Sequence, residues 1–227
     1  MKNGFVLACE RTREAVYIDP GDEVEDLLAY VARERLMVTH LLLTHGHVDH
    51  VSGLARAKRQ LGAPIFLHQD DLFLYEDAVA HGAMFGLRIE APPPVDYFFD
   101  GSAITFGDYT VAVHHTPGHC PGGVCLAVMG QTGGTKVPPH DLTSAAPPHH
   151  RTSAPLHLFV GDTLFAGSIG RTDLPGGDFE TLMRSITDVL FALGDEARVF
   201  PGHGPETTIG RERRTNPFVL EWLSQRT

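Results

Sequence analysis

Residues 41–50 read Leu41-Leu42-Leu43-Thr44-His45-Gly46-His47-Val48-Asp49-His50. An apolar run stops at a threonine, and three imidazoles and a carboxylate follow at once. A short, unbroken apolar run bounded in this way predicts a strand buried on both faces. Ser52 is the expected cap of a helix just beyond, which runs to Leu61 and stops at Gly62. The histidines and the aspartate therefore occupy a tight loop between strand and helix. Side chains at this spacing can face two neighbouring centres, and a His/Asp mixture suits zinc or iron.

Three further loops share that setting. His119 stands in Thr116-Pro117-Gly118-His119, just after an apolar run through Val113. Asp162 stands in Gly161-Asp162-Thr163, after 158–160, and His203 in Pro201-Gly202-His203-Gly204, after a run ending at Phe200. Each candidate follows a predicted strand and lies beside a glycine that permits a sharp turn. Strand ends gathered at one edge of a layered sheet are where α/β proteins place their chemistry. The chain carries 14 histidines in 227 residues, an excess that these loops help to explain.

Composition removes several classes of function. A formal charge of -10 leaves no basic surface for nucleic acid or an anionic membrane. No run of apolar residues is long enough to predict a transmembrane helix. The opening MKNGFVLACE reaches Glu10 after a short apolar run, so no signal peptide is expected. Cys9, Cys120 and Cys125 cannot all pair and show no zinc-finger spacing, which points to a reducing cytoplasm. The expected partner is a small molecule, with the oligomeric state left open.

Along the chain, apolar runs at 5–9 and 15–18 predict a hairpin. Asp22 with Glu25 three residues on predicts a capped helix, followed by strands at 38–43 and 64–67 around the second helix. A helix near 70–79 and strands at 103–106, 109–114, 124–129 and 156–160 come next. Asp178 caps a periodic stretch (Phe179, Leu182, Met183, Ile186, Val189, Leu190, Leu193) that predicts one helix ending at Gly194. A strand at 197–200 and a short helix opened by Asn216-Pro217 close the pattern. Residues 130–155 are rich in Gly, Pro, Ser and Thr without periodicity. They predict a flexible insertion between strand ends that face away from the ligand loops.

The series THxHxDH, TPGH, GDTLF and PGHGP resembles the metallo-β-lactamase superfamily, most closely its glyoxalase II-like (hydroxyacylglutathione hydrolase-like) branch. The likeness extends to Phe165-Ala166-Gly167-Ser168-Ile169-Gly170-Arg171-Thr172-Asp173 and to Arg214-Thr215-Asn216-Pro217-Phe218. It implies a single domain with the four-layer αββα sandwich fold, and two divalent metal ions. Zinc is the expected metal, and His/Asp sites also accept iron or manganese. By family pattern His45, His47 and His119 bind one ion, Asp49, His50 and His203 bind the other, and Asp162 bridges them. The implied nucleophile is a hydroxide bridging the metals, oriented by Asp49, attacking a thioester such as S-lactoylglutathione. Arg171 aligns with a basic residue that meets a glutathione carboxylate, although pairing with Asp173 for structure is an equal reading. Two rival activities stand on the same scaffold: a mono-iron persulfide dioxygenase, and lactonase or β-lactamase ring opening. Cys120 reads as a buried, inert thiol, and His114 and His115 as hydrogen-bond partners behind the ligands.

Overall fold

The computed structural model describes residues 2–84, 86–130 and 156–226. The predicted insertion at 130–155 lies, apart from Gly130, outside them.

In the first half, β1 (Phe5–Ala8) and β2 (Glu14–Ile18) form the predicted hairpin, and α1 (Val24–Arg33) leads into β3 (Met37–Leu42). The ligand loop then holds a one-turn helix α2 (Val48–Val51), followed by α3 (Leu54–Leu61) and β4 (Ile65–His68). After a 3-10 turn come α4 (Leu72–Glu76), α5 (Ala78–Met84) and β5 (Asp96–Phe98). These strands make one five-stranded sheet in the order β1-β2-β3-β4-β5.

The second half contributes β6 (Ala103–Phe106), β7 (Tyr109–His115), β8 (Val124–Gly130) and β9 (His157–Gly161). A small hairpin, β10 (Leu164–Phe165) with β11 (Ser168–Ile169), precedes α6 (Phe179–Arg184). Then follow β12 (Arg198–Pro201), β13 (Thr207–Thr208), α7 (Ile209–Thr215) and α8 (Pro217–Ser224). The second sheet runs β13-β12-β9-β8-β7-β6.

Alternation along the strands produces the layers. In β2, Ala15 and Tyr17 join Leu28 and Val31 of α1 and Leu54 of α3, whereas Val16 and Ile18 face the other sheet. In β8, Val124, Leu126 and Val128 meet Val16, Ile18 and Phe98 between the sheets, while Cys125 and Ala127 turn outward to Leu182, Met183 and Ile186. Three apolar clusters thus separate four layers: helices, sheet, sheet, helices. This is the αββα sandwich, and its central strands are apolar on both faces because both faces are covered.

The topology also collects the ligand loops. Strand β8 is antiparallel to both β7 and β9, and β12 is parallel to β9, so β7, β9 and β12 all end at one edge of their sheet. The loop after β3 reaches that edge from the facing sheet, where the Val124 amide donates to the Thr44 carbonyl at 2.9 Å.

Local expectations needed three corrections. Asp22 does not cap α1: the preceding residue is Glu23, with no side-chain cap, and the Asp22 carboxylate instead accepts from the Ser52 hydroxyl at 2.9 Å. Tertiary partners outbid the local box. Ser52 in turn does not cap α3, which starts after Gly53. The single helix expected from Asp178 to Gly194 is α6 followed by a π turn at Ser185–Val189 and a 3-10 turn at Leu190–Leu193. The π turn sits where the Ser185 hydroxyl donates to the Pro117 carbonyl at 2.7 Å, tying the segment to the His119 loop.

Candidate metal centre

All seven predicted ligands meet at that sheet edge. Three groups place one donor atom of each member within 4.8 Å of the others: His45, His47 and His119; His45, His50 and Asp162; and Asp49, His50 and His203. Asp162 stands between the first and the last. Its Oδ1 lies 3.5 Å from His50 Nε2, and its Oδ2 lies 3.5 Å from His203 Nε2 and 3.8 Å from His119 Nε2. The carboxylate thus faces imidazoles of both sets.

Three of the rings are aimed from behind. His119 Nδ1 donates to the Arg171 carbonyl at 2.7 Å, leaving Nε2 for the site. Asp19 governs two others. Its carboxylate accepts from His50 Nδ1 at 2.9 Å and from the Thr44 hydroxyl at 2.6 Å, and the Thr44 oxygen lies 3.1 Å from His45 Nδ1. A buried carboxylate behind an imidazole fixes the tautomer and raises the basicity of the outward nitrogen. Asp71 secures the loops themselves, accepting from the Gly46 amide at 2.9 Å, the Gly122 amide at 2.6 Å and the Cys120 thiol at 3.1 Å. Cys120 is therefore a buried hydrogen-bonding thiol, pushed well above its usual range by burial and by Asp71.

Backbone shape matters at two glycines. A Cβ on Gly202 would overlap Asp162 Oδ1 and lie 2.6 Å from His50 Cε1. Gly161 has φ +52°, and a Cβ there would lie 2.5 Å from the Thr44 hydroxyl.

The donors suit divalent cations. His45 Nε2, His47 Nε2, His50 Nε2 and Asp162 Oδ1 are buried without a hydrogen-bond partner. Three of these residues, His45, His50 and Asp162, form one ligand group, and such orphans are costly unless something electropositive completes them. His47 turns its Nδ1 to the site, 2.9 Å from His119 Nε2. Burial, with the neighbouring rings, drives His45 well below the usual histidine range and His47 down to about 3, so both are neutral ligands at pH 7. The second set differs. Burial opposes the charge of His50, but Asp19 and Asp162 outweigh it and raise the ring to about 10. The Asp49 hydrogen bond, at 2.9 Å, raises His203 in the same direction.

In the metal-free protein His50 therefore keeps its proton at neutral pH. A histidine raised in the folded state gives stability that is complete below about pH 6.5 and lost as the pH climbs through its folded value, here about 10. Loading a cation must displace that proton. Calorimetric metal titrations at pH 7.5, repeated in buffers of different ionisation enthalpy, are expected to show net proton release. Uptake of ions with no proton exchange would contradict this picture.

A fourth group, His68, Asp70 and His115, shares no residue with the centre. Its imidazoles stack with centroids 4.2 Å apart and planes 9° from parallel, so their lone pairs run side by side and do not converge. His115 Nε2 donates to the Pro121 carbonyl at 2.7 Å and His68 Nδ1 accepts from the Asp70 amide at 3.3 Å. His115 is thus a structural ring and bonds no candidate ligand. Arg171 is exposed, with its Nε and Nη2 each 2.7 Å from a carboxylate oxygen of Asp173. The reading of an arginine paired with Asp173 is the one seen, while its carbonyl orients His119. Asp19, Asp71 and that carbonyl were absent from the sequence reading. Asp19-Pro20-Gly21 has the composition of a turn, in which nothing local marks an aspartate as a ligand's partner.

Known proteins agree with the geometry. The model of the metallo-β-lactamase superfamily matches residues 3–133. A solved structure described as TTHA1623 in a di-iron-bound form is 40% identical, with a TM-score of 0.76, covering 96% of this chain and 95% of that one. The structure of BLEG-1 B3 metallo-β-lactamase is 34% identical, with a TM-score of 0.77, covering 96% and 94%. Hydroxyacylglutathione hydrolase GloC of Haemophilus influenzae is 36% identical over 216 residues, 94% of this chain and 91% of that protein. Among the described residues no helix is long and apolar enough to cross a membrane. With its sandwich fold, its His/Asp cluster and these relatives, the chain belongs to the metallo-β-lactamase superfamily.

Proposed function

We propose that the protein is a thioester hydrolase using two divalent ions, with a hydroxyacylglutathione such as S-lactoylglutathione as substrate. The observation that carries this reading is Asp162, whose carboxylate lies 3.5–3.8 Å from imidazoles of both ligand sets. His45, His47 and His119 would hold one ion, Asp49, His50 and His203 the second, and Asp162 both. When bound, such a pair supplies acidified water and Lewis-acid polarisation of a carbonyl.

The chain's own part is placement and proton control. Asp49 is held well below the usual carboxylate range: burial works against this, but His203 and His50 prevail. Its side chain is about one-third exposed, and His203 is similarly open, so this side of the centre faces the incoming substrate. Asp49 is thus an ionised acceptor, able to hold the hydrogen of an attacking water. His45, His47, His50 and His119 are each almost wholly buried and exclude bulk water from the other side. A thioester suits this arrangement, because a thiolate departs without a strong general acid.

Support for glutathione comes from the similarity to the Haemophilus influenzae hydrolase, while the di-iron neighbour supports a metal pair that need not be zinc. The likeness to a B3 metallo-β-lactamase favours β-lactam hydrolysis as the second reading. Purified protein with its metal content measured, assayed on S-lactoylglutathione with a thiol reagent and on a chromogenic cephalosporin, separates the two. Thiol release with a pair of ions per chain is expected. Oxygen uptake with glutathione persulfide and one iron per chain would replace the hydrolase with a dioxygenase.

Arg171 supplies a sharper test. Its ion pair is exposed at both ends, so a substrate carboxylate can compete with Asp173 for the guanidinium. Solvent screens an ion pair this exposed, so Arg171→Ala is expected to raise KM for a glutathione thioester by about two- to fivefold. A simple acyl thioester lacking the peptide should lose nothing. Unchanged KM for both leaves Arg171 with only its backbone role.

A further inference from the structure

We propose that Asn3, anchored by Lys2, is a positioning residue for the second metal position, so that uptake of the second ion depends on it and uptake of the first does not. This rests on the reading of a metal pair.

The two ligand sets are built unequally. His45, His47 and His119 are 2%, 6% and 4% exposed, and Thr44, Asp71 and the Arg171 carbonyl brace their loops. His203 and Asp49 have side chains 36% and 35% exposed. His203 also rides on a short turn between β12 and β13, with glycine on either side and φ +79° at Gly204. A ligand on such a turn loses conformational freedom when it binds an ion, unless the turn is already fixed.

Asn3 fixes it. Its backbone amide donates to the Gly202 carbonyl at 2.7 Å, and its side-chain Nδ2 donates to the carbonyls of Pro201 at 3.1 Å and Gly204 at 2.8 Å. One residue thus takes carbonyls on both sides of His203. Lys2 forms an isolated antiparallel bridge with His203 itself. The Gly202 amide also donates to the Gly161 carbonyl, at 2.8 Å. Lys2 holds the strap in place: its ammonium is buried, donating to the Asp19 carbonyl and standing 3.3 Å from the Glu23 carboxylate. The Asn3 contacts reach no member of the first set. That selectivity separates a positioning role from a general contribution to the fold.

The experiment uses the full-length chain, stripped of metal and titrated with cobalt(II), followed by visible absorption and by calorimetry. Asn3→Asp keeps the size but turns an oxygen toward two carbonyls, and Asn3→Ala removes the amide while leaving the backbone bond. Loss of a group that orients a ligand lowers metal affinity by about 10–100-fold. For N3D the second binding step is expected to weaken by about that factor while the first stays within about threefold, with N3A between it and the parent. Circular dichroism of the metal-free variants checks that they fold. If both steps weaken together, or the second does not move in either variant, the proposal is overturned while the metal pair stands. If the parent chain takes up fewer than two ions, the metal-pair reading falls and takes the proposal with it.

Discussion

Replacing Asp162 by asparagine is expected to lower kcat/KM by about 10³–10⁴-fold, or about 4–5.5 kcal/mol at 1.36 kcal/mol per decade. The amide preserves the volume behind Gly202 and so introduces no clash. What it removes is the negative charge that lies 3.5 Å from His50 and His203 and 3.8 Å from His119. That carboxylate is held below its usual range, since His50 outweighs the opposing effect of burial. In a pocket this dry, Asp162 is the anion that faces imidazoles of both sets, and with Asp49 in the second set it supplies the counter-charge for two close cations. Steady-state kinetics on the thioester, with metal analysis of the same preparation, checks the prediction. An Asp162→Asn protein that keeps both ions and loses less than tenfold in rate shows that this carboxylate does not join the two positions.

Stripping the metals is expected to produce the largest change in stability. Four buried polar atoms lack partners in the free protein, and His45 lies against His47, His50 and His119 with ring centroids only 4.0–5.0 Å away. An ion that binds only the folded chain adds about 2.7 kcal/mol at a free concentration of about 100 Kd. Two ions then add about 5 kcal/mol, and for a chain of this size that raises Tm by roughly 10–20 °C. Thermal melts before and after dialysis against a chelator, and again after zinc or iron is restored, read this directly. Equal melting temperatures would mean that the cluster is at ease without cations.

Much of this molecule was legible from its residues, for reasons that differ by feature. The layered α/β character showed because each central strand carries an unbroken apolar run, as in 41–43 or 158–160, while the four-layer sandwich followed from the family resemblance. The seven ligand candidates showed because histidine and aspartate have few uses in glycine-flanked turns after buried strands. The small elements did not show. Strands β5, β10, β11 and β13 are two or three residues long, below the length at which alternation can be seen. The capping box at Asp22 failed for a related reason, since Ser52 lies 30 positions along the chain and wins the carboxylate.

The sequence by itself thus determined the layered fold, the four loops and the chemical kind of each ligand, because these follow from local apolar patterning and side-chain chemistry. Only the tertiary structure decided which groups orient those ligands: Asp19 behind His45 and His50, the Arg171 carbonyl behind His119, and Asn3 beneath the His203 turn. The physical reason is range. A hydrogen bond works over about 3 Å in space and is indifferent to separation along the chain, so its partner leaves no pattern in the neighbouring residues.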